Sequence, residues 1–164
     1  MSISQSLTST KKAERPLFGR ELSTYIEVSP ETVFHYIADI SRHGEWSADP
    51  LEITQSAGSD HGPGATFTTL AHVGKNTIAA QVCIIAEEPP VRFIYEGKDL
   101  FGHHRWTMTL RAEGNGTCLT QRMERVQGPL WVRLLQPYIL WPTAGRRSVG
   151  KGLARIKSRL EAEA

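Results

Sequence analysis

The stretch FGHHRWTMTLRAEGNGTCLTQRMERV, residues 101–126, decides the fold. Apolar and polar side chains alternate on both sides of the turn at residues 114–116, a pattern typical of two antiparallel strands joined by a tight connection. Glycine- and proline-containing turns divide the preceding residues in the same way. The six strands predicted between the turns are 51–56, 65–73, 77–87, 91–96, 101–113 and 117–126. Because their connections are too short for crossover helices, we expect an antiparallel meander.

One face of this predicted sheet is apolar and the other is polar. The apolar parity holds aromatic and aliphatic side chains from every strand, and the opposite parity holds mostly charged and polar ones. A sheet with one apolar face needs a cover on that face. Three polar residues, Thr69, His104 and Gln121, share the apolar parity, with Arg125 near the end of the last strand.

The flanking segments supply a seventh strand and the cover. Residues 18–28 alternate as a half-buried strand, and Ser29 followed by Pro30 begins a helix of about ten residues, with Ile37 and Ile40 among the apolar positions at helical spacing. The spacing in the C-terminal region predicts an amphipathic helix whose apolar side carries Val149, Leu153, Ile156 and Leu160. Before it, two prolines predict a short helix near 130–140 and a break or kink beside Pro142.

Length, composition and charge limit the class of protein. The 164 residues are 40% hydrophobic and 22% charged, which suits a single domain with one core. A net charge of +2 does not indicate nucleic-acid binding, and no apolar run is long enough to span a bilayer. The polar residues 1–16 lack the apolar centre of a signal peptide, so we expect a mobile tail in a cytoplasmic protein. Cys83 and Cys118 suit two free thiols in a reducing compartment.

A series of short motifs runs along residues 18–163 in a characteristic order. They are Ser29-Pro30-x-x-Val33-Phe34-x-x-Ile37-x-Asp39, Trp46, Gly62-x-Gly64-x-x-Phe67, Glu88-Pro89-Pro90, Trp106, Gly116-Thr117 and the closing amphipathic helix. Together they resemble the START-like superfamily called SRPBCC, and within it the polyketide cyclase/dehydrase and lipid-transport group. The resemblance implies an α+β helix-grip fold, a curved seven-stranded antiparallel sheet wrapped around a long C-terminal helix. It implies a single domain over residues 17–164, with the two cysteines three strands apart and too distant for a disulfide.

The resemblance also implies a cavity between sheet and helix that binds, with transport as an option, a hydrophobic small molecule such as a lipid, polyketide or quinone-like compound. The side chains expected to line it are Phe67, Val82, Tyr95, His104, Trp106, Met108, Gln121, Met123, Tyr138 and Trp141. Gly145 and Gly152 fall near the same side of the last helix, where they leave space or allow close approach. An ordinary solid core remains the alternative, because an aromatic stripe is more often packing than a binding site.

Three classes of function stay open. The first is a non-catalytic binding protein. The second is a cofactor-independent cyclase or dehydratase, in which His104 is the candidate general acid and base because an imidazole titrates near neutral pH. There, Gln121 or Tyr95 would position an enolate oxygen. The third is an interaction module acting through the basic helix face. The sequence contains no phosphate loop, nucleophile elbow or metal-ligand spacing, so we expect no cofactor, no metal and no nucleic-acid partner.

One apolar segment falls outside the sheet, at PLWVRLLQPYILWP, residues 129–142. Basic residues follow it directly up to Lys151. The region 129–151 is therefore a lid over the cavity, a peripheral membrane contact, or an ordinary buried helix followed by a solvated charged face. The sequence leaves a monomer and a homodimer equally open.

Overall fold

Seven β-strands and four α-helices form the part of the chain that the computed structural model describes, residues 15–59 and 61–164. The strands are β1 (Phe18–Ile26), β2 (Leu51–Ala57), β3 (Thr66–Val73), β4 (Asn76–Glu88), β5 (Arg92–Asp99), β6 (Gly102–Glu113) and β7 (Gly116–Gln127). The α-helices are α1 (Pro30–Ala38), α2 (His43–Trp46), α3 (Leu130–Leu135) and α4 (Arg146–Glu163). A π-helical stretch, Gln136–Gly145, joins α3 to α4, and we call it the π segment. The tail predicted at residues 1–16 lies outside the described residues except for its last two positions.

The strands form one antiparallel sheet in the order β1-β7-β6-β5-β4-β3-β2. Within the β6–β7 hairpin Trp106 lies opposite Met123, so residues of the predicted apolar parity meet on one face. The meander predicted from the short connections is therefore confirmed. Cys83 on β4 and Cys118 on β7 are three strands apart and both are free thiols, as expected.

A helical run of 34 residues, from Leu130 to Glu163, follows the last strand. Its final helix α4 packs on β1 and β7 and buries the predicted apolar side, namely Val149, Leu153, Ile156 and Leu160. A seven-stranded sheet closed over a long C-terminal helix is the α+β helix-grip fold, so the predicted fold class is confirmed.

The helical run differs from the prediction at its prolines. A short helix does form near 130–140, but Pro142 lies inside the π segment instead of at a break. Neither Pro137 nor Pro142 has a backbone N–H to donate, and both are accommodated within the wider π turns, which bond each residue to the fifth along the chain. The chain therefore stays helical from α3 into α4.

The link between α1 and β2 contains a helix that the sequence pattern did not predict. Helix α1 begins as expected, with Ser29 capping the backbone N–H of Thr32, but it ends at Ala38 because Asp39 adopts an extended conformation. The Asp39 carboxylate then accepts a hydrogen bond of 3.0 Å from the Ser41 N–H and starts a further turn. Helix α2 follows directly and places His43 and Trp46 under the sheet.

Helix α2 is held against α4 by close backbone approach. A Cβ added at Gly152 would lie 3.3 Å from the Trp46 carbonyl oxygen, so a side chain larger than hydrogen would push the two helices apart. The Arg155 guanidinium donates a hydrogen bond to the Ser47 carbonyl. Arg159 lies 3.5 Å from the Glu45 carboxylate. The sequence left two roles open for Gly152, leaving space or allowing close approach. The contact with Trp46 corresponds to close approach.

Candidate functional site

A cavity of about 240 Å³ lies between the sheet and the first turns of α4. Helix α2 and the loop after it contribute His43, Trp46, Ser47 and Ala48, and the first residue of β2 contributes Leu51. The sheet contributes Thr69, Ala80, Val82, Tyr95, Gly97, Asp99, His104, Trp106 and Gln121, and α4 contributes Ser148, Val149 and Gly152. The interior of the grip therefore contains a hollow bounded by strands β3 to β7 on one side and by two helices on the other.

The structure brings together half of the side chains predicted to line the site. The ones on the cavity wall are Val82, Tyr95, His104, Trp106 and Gln121. Phe67, Met108 and Met123 are buried in the surrounding core without reaching the cavity. Trp141 is also buried, but its ring packs 6.1 Å from that of Phe18. Their roles in binding stay predictions.

Tyr138 lies elsewhere and the expectation for it needs correction. Its side chain is 82% exposed on the outer side of the π segment, so it does not line the cavity. In a regular α-helix, residues three apart such as Tyr138 and Trp141 share one side, but the wider π turns rotate successive side chains by less than an α-helix does. Tyr138 consequently faces away from the sheet while Trp141 faces toward it.

Two lining residues on α2, His43 and Trp46, were missing from the expected set. A helix of four residues is too short for a periodic pattern to reveal which side is buried. The available signal was Trp46 itself, a tryptophan in an otherwise polar link that also belongs to the motif series. Its position three residues after His43 places both on one side of a single helical turn.

The wall of the cavity is a continuous row of aromatic rings. His43 stacks on Trp46 with ring centroids 3.9 Å apart and planes at 20°. The Tyr95 ring meets His43 edge to face at 5.5 Å, and lies nearly parallel to Trp106, with centroids 6.3 Å apart. These rings present both faces and edges to the hollow, a surface that suits a flat apolar compound.

Unpaired polar atoms are concentrated in the same place. Among the described residues, three buried side-chain nitrogen or oxygen atoms have no hydrogen-bond partner, namely His43 Nδ1, Trp46 Nε1 and Gln121 Oε1. All three residues line the cavity. An unsatisfied buried polar atom costs about 1–3 kcal/mol, so three of them around one cavity are unfavourable for stability alone. The indole N–H offers a donor and the Gln121 carbonyl offers an acceptor.

Burial keeps two histidines and one tyrosine of the cavity lining neutral at physiological pH. Desolvation lowers the pKa of His43 to about 4. Desolvation, together with the nearby positive charge of Arg125, lowers the pKa of His104 to about 4 as well, although the Asp99 carboxylate lies 3.9 Å from its Nδ1. Burial raises the pKa of the Tyr95 phenol, which keeps its proton. The expectation that His104 titrates near neutral pH was therefore wrong.

Arg125, the other polar residue of the apolar parity, is buried behind His104 and is used by the fold. Its Nε donates to the Gln136 side-chain oxygen at 2.9 Å, and its Nη1 donates to the Phe101 carbonyl at 2.5 Å. These bonds connect β7 to the π segment and to the β5–β6 turn. Burial lowers the pKa of this guanidinium from its ordinary value. Arg125 thus shapes the electrostatics of the cavity without lining it.

A surface groove lies next to the cavity, between the α2–β2 loop and α4. Ala48 and Ser148 line both the cavity and the groove. The groove is further lined by Asp49, Thr143, Ala144, Arg147 and Lys151. We call this groove the entrance, because its lining shares two residues with that of the cavity.

Within residues 15–59 and 61–164, no group of three or more histidine, cysteine, aspartate or glutamate side chains is arranged to hold a metal ion. The same residues contain no helix that is long and apolar enough to cross a membrane.

The fold is thus an antiparallel sheet closed on a C-terminal helix around a mostly apolar hollow. A family model described as polyketide cyclase/dehydrase and lipid transport matches residues 21–161. The chain belongs to this family, as the motif series indicated. No curated protein matches the chain in sequence.

Solved structures share the fold at low sequence identity. Protein TTHA0849 from Thermus thermophilus is 17% identical with a TM-score of 0.71, covering 89% of this chain and 99% of its own. Protein Ms6760 from Mycobacterium smegmatis is 15% identical with a TM-score of 0.68, covering 89% and 92%. Protein CV1439 from Chromobacterium violaceum is 16% identical with a TM-score of 0.67, covering 88% and 98%. At these identities the likeness establishes the fold alone.

Proposed function

We propose that this protein binds a compact, flat, mostly apolar small molecule that carries at least one hydrogen-bonding group. The observation that carries the proposal is the concentration of unpaired buried polar atoms, from His43, Trp46 and Gln121, on the wall of one cavity. Protein interiors rarely leave such atoms unpaired, and a bound molecule with a hydroxyl or carbonyl group supplies the partners.

The size of the cavity favours a ring compound over a long-chain lipid. Its volume of about 240 Å³ lies just below the range of roughly 300–1,000 Å³ that is usual for ligand pockets. A compound of two or three fused rings is short and flat enough to lie among Trp46, Tyr95 and Trp106. Of the ligand classes that the resemblance implies, quinone-like and aromatic polyketide compounds therefore fit better than an acyl lipid.

The same geometry favours binding over turnover. A general acid or base works best when its pKa lies near the working pH, and the pKa of about 4 leaves His104 neutral and weakly basic. A neutral imidazole still donates or accepts one hydrogen bond at each nitrogen. We assign His104 this orienting role and keep the cyclase or dehydratase reaction as the alternative, for which a rate that depends on His104 would be the evidence.

Native mass spectrometry of freshly purified protein tests the proposal. We expect an additional mass of a small organic compound that organic extraction releases. Gln121→Leu removes the unpaired acceptor at nearly constant volume and should lose the adduct. Gln136→Leu is the matched control, because Gln136 is equally buried but its oxygen bonds to Arg125 outside the cavity. Retention of the same adduct by Gln121→Leu would contradict the assignment of the site.

Four expectations from the sequence stay predictions. They are transport of the bound compound, a cytoplasmic location, the single-domain extent of residues 17–164, and the choice between monomer and homodimer. Size-exclusion chromatography with light scattering settles the last of these directly. Peripheral membrane contact by residues 129–151 also stays a prediction from the sequence.

A further inference from the structure

The outer side of α3 and the π segment carries a row of large apolar side chains exposed to solvent. They are Leu130, Trp131, Leu134, Tyr138 and Ile139, which are between 49% and 82% exposed, and we call them the apolar strip. The inner side of the same segment is fixed to the protein through the buried Val132, Gln136 and Trp141. The strip therefore faces outward on a helical segment that is anchored to the sheet. Such a contiguous exposed row indicates an interaction surface.

The stretch of sequence that holds the apolar strip is rich in positive charge, and the acidic side chain next to its basic residues in the entrance is Asp49. Residues 125–160 contain eight lysine and arginine residues and no aspartate or glutamate, although the whole chain has a net charge of only +2. Five of the eight are exposed: Arg159 is paired with Glu45, whereas Arg133, Arg146, Arg147 and Lys151 form no ion pair with the part of the chain that the structure describes. The region is thus a basic surface beside an apolar one, while the rest of the chain is net negative.

We propose that the apolar strip docks into the interface of an anionic lipid bilayer, with Arg133, Arg146, Arg147 and Lys151 against the headgroups. Tryptophan and tyrosine favour the water–bilayer interface, and leucine and isoleucine bury among the acyl chains just below it. Unpaired arginine and lysine side chains are attracted to anionic headgroups. This docking does not depend on the proposed ligand.

A second copy of the chain is a poorer occupant of the same surface. In a symmetric dimer each copy uses the same patch, so the basic residues around both strips would come together. Negative charges are required to offset the four exposed, unpaired positive charges on each copy, and residues 125–160 offer none. An anionic bilayer supplies the opposite charge and the apolar depth at once.

Docking of the strip would also orient the cavity. Arg147 and Lys151 belong both to the basic surface and to the entrance of the cavity. Basic residues held at the headgroups therefore bring the entrance to the bilayer, where apolar compounds concentrate. This consequence rests on the proposed function, because it gives a membrane-dissolved ligand a route into the hollow.

Co-sedimentation with lipid vesicles tests the docking. We expect the full chain to sediment with vesicles of equal parts phosphatidylcholine and phosphatidylserine, and to stay in the supernatant with phosphatidylcholine alone. Arg147→Glu with Lys151→Glu should weaken binding by about thirtyfold or more, from the attraction lost at two cations. The matched charge control is Arg92→Glu with Arg111→Glu. Both arginines are exposed and lie at the ends of β5 and β6 that are far from the Asp99–Gly102 turn. This control should leave vesicle binding unchanged.

The apolar strip is tested separately by Leu134→Glu. Leu134 is 63% exposed, so the substitution should leave the fold intact and reduce vesicle binding at least tenfold. Val91→Glu is the matched control: Val91 is 53% exposed at the turn between β4 and β5, at the opposite end of β5 from the Phe101 ring that contacts Trp131. Brominated lipids should quench tryptophan fluorescence in the native chain, and Trp131→Phe should remove most of that quenching.

Equal binding to both vesicle compositions, or unchanged binding after Leu134→Glu, would overturn the proposal. The proposal would also be overturned if the native chain formed a dimer that Leu134→Glu dissociates and did not bind vesicles. The apolar strip would then belong to an interface with a second copy. The ligand adduct in native mass spectrometry is measured on the same variants. Its retention in a variant that no longer sediments shows that the docking and the cavity function are distinct.

Discussion

The interior between the sheet and α4 differs from one end to the other. Toward α1 and the last turns of α4 it is packed solid, and Ile26, Ile37, Leu119 and Ile156 are fully buried. Toward α2 and the first turns of α4 the same apolar face borders a hollow with unpaired polar atoms. On β7 the change occurs over two residues, from Leu119 to Gln121. One sheet face thus supplies stability at one end and recognition at the other.

The largest contrast in stability is expected between two positions on α4. Ile156→Ala at the packed end should lower the free energy of unfolding by about 2–5 kcal/mol, because it opens a void in a filled core. Val149→Ala at the hollow end should cost about 1.5 kcal/mol or less, since Val149 already borders empty space. Urea denaturation measures both. Equal losses at the two positions would show that the two ends are packed alike.

A pH dependence should follow from the two histidines at the hollow end. In the unfolded chain both titrate near 6.5, and burial lowers the folded pKa of His43 and His104 to about 4. Above pH 6.5 both states are neutral and stability is constant; between pH 6.5 and 4 only the unfolded chain takes up protons, so stability falls as the pH falls. Each histidine should contribute about 3 kcal/mol to this loss, which ends below the folded pKa.

Urea midpoints across that range measure the loss. His43→Phe keeps an aromatic ring against Trp46 and Tyr95. It should remove the contribution of one histidine to the loss of stability with falling pH. His35→Gln, at an exposed position on α1, is the matched control and should leave the slope unchanged. A flat profile in the native chain would show that both imidazoles are accessible to water.

The two buried glutamines should respond in opposite directions. Gln136→Leu leaves the buried Arg125 without one of its acceptors, so we expect a loss of about 1.5–3 kcal/mol. Gln121→Leu replaces an unpaired oxygen by an apolar group, so we expect a gain of about 1 kcal/mol. Thermal or urea unfolding of the ligand-free variants measures both. A loss in Gln121→Leu similar to that in Gln136→Leu would mean that the Gln121 oxygen has a partner within the protein.

A modest effect on stability and a clear effect on binding are expected for Trp106→Ala. Trp106 is half-buried on the cavity wall, so its removal should cost only about 1–2 kcal/mol of stability, less than a tryptophan in a solid core. Ligand affinity should fall about tenfold because a stacking surface is lost. Isothermal calorimetry and urea unfolding measure the two quantities. A large loss of stability without a change in affinity would support a solid core.

The sequence predicted the packed end of the interior better than the hollow end. Alternation and turn residues were sufficient for the sheet, because the strands are long enough to repeat a period of two and the apolar spacing of α4 is regular. Helix α2 was missed because four residues show no period. Tyr138 was misplaced because the π segment departs from α-helical spacing.

The sequence predicted the residues that line the site better than it predicted their chemical properties. The strand pattern is sufficient to place His104 on the apolar face of the sheet. Its pKa, however, depends on how deeply the imidazole is buried and on the charge of Arg125. Arg125 lies beside His104 only because β6 pairs with β7. The unpaired atom of Gln121 likewise exists only because α2 and α4 leave a space opposite it. Such properties arise from packing between distant segments.

The indole N–H signals in a nitrogen–proton correlation spectrum test the central claim most directly. The chain has four tryptophans, of which Trp46 and Trp106 line the cavity. Naphthol, a flat two-ring compound with one hydroxyl, should shift the Trp46 signal downfield as its Nε1–H gains an acceptor, and should leave the Trp141 signal in place. Naphthalene, which lacks the hydroxyl, should bind at least tenfold more weakly. An unmoved Trp46 signal at saturating naphthol, or equal affinity for both compounds, would contradict a polar recognition site in this hollow.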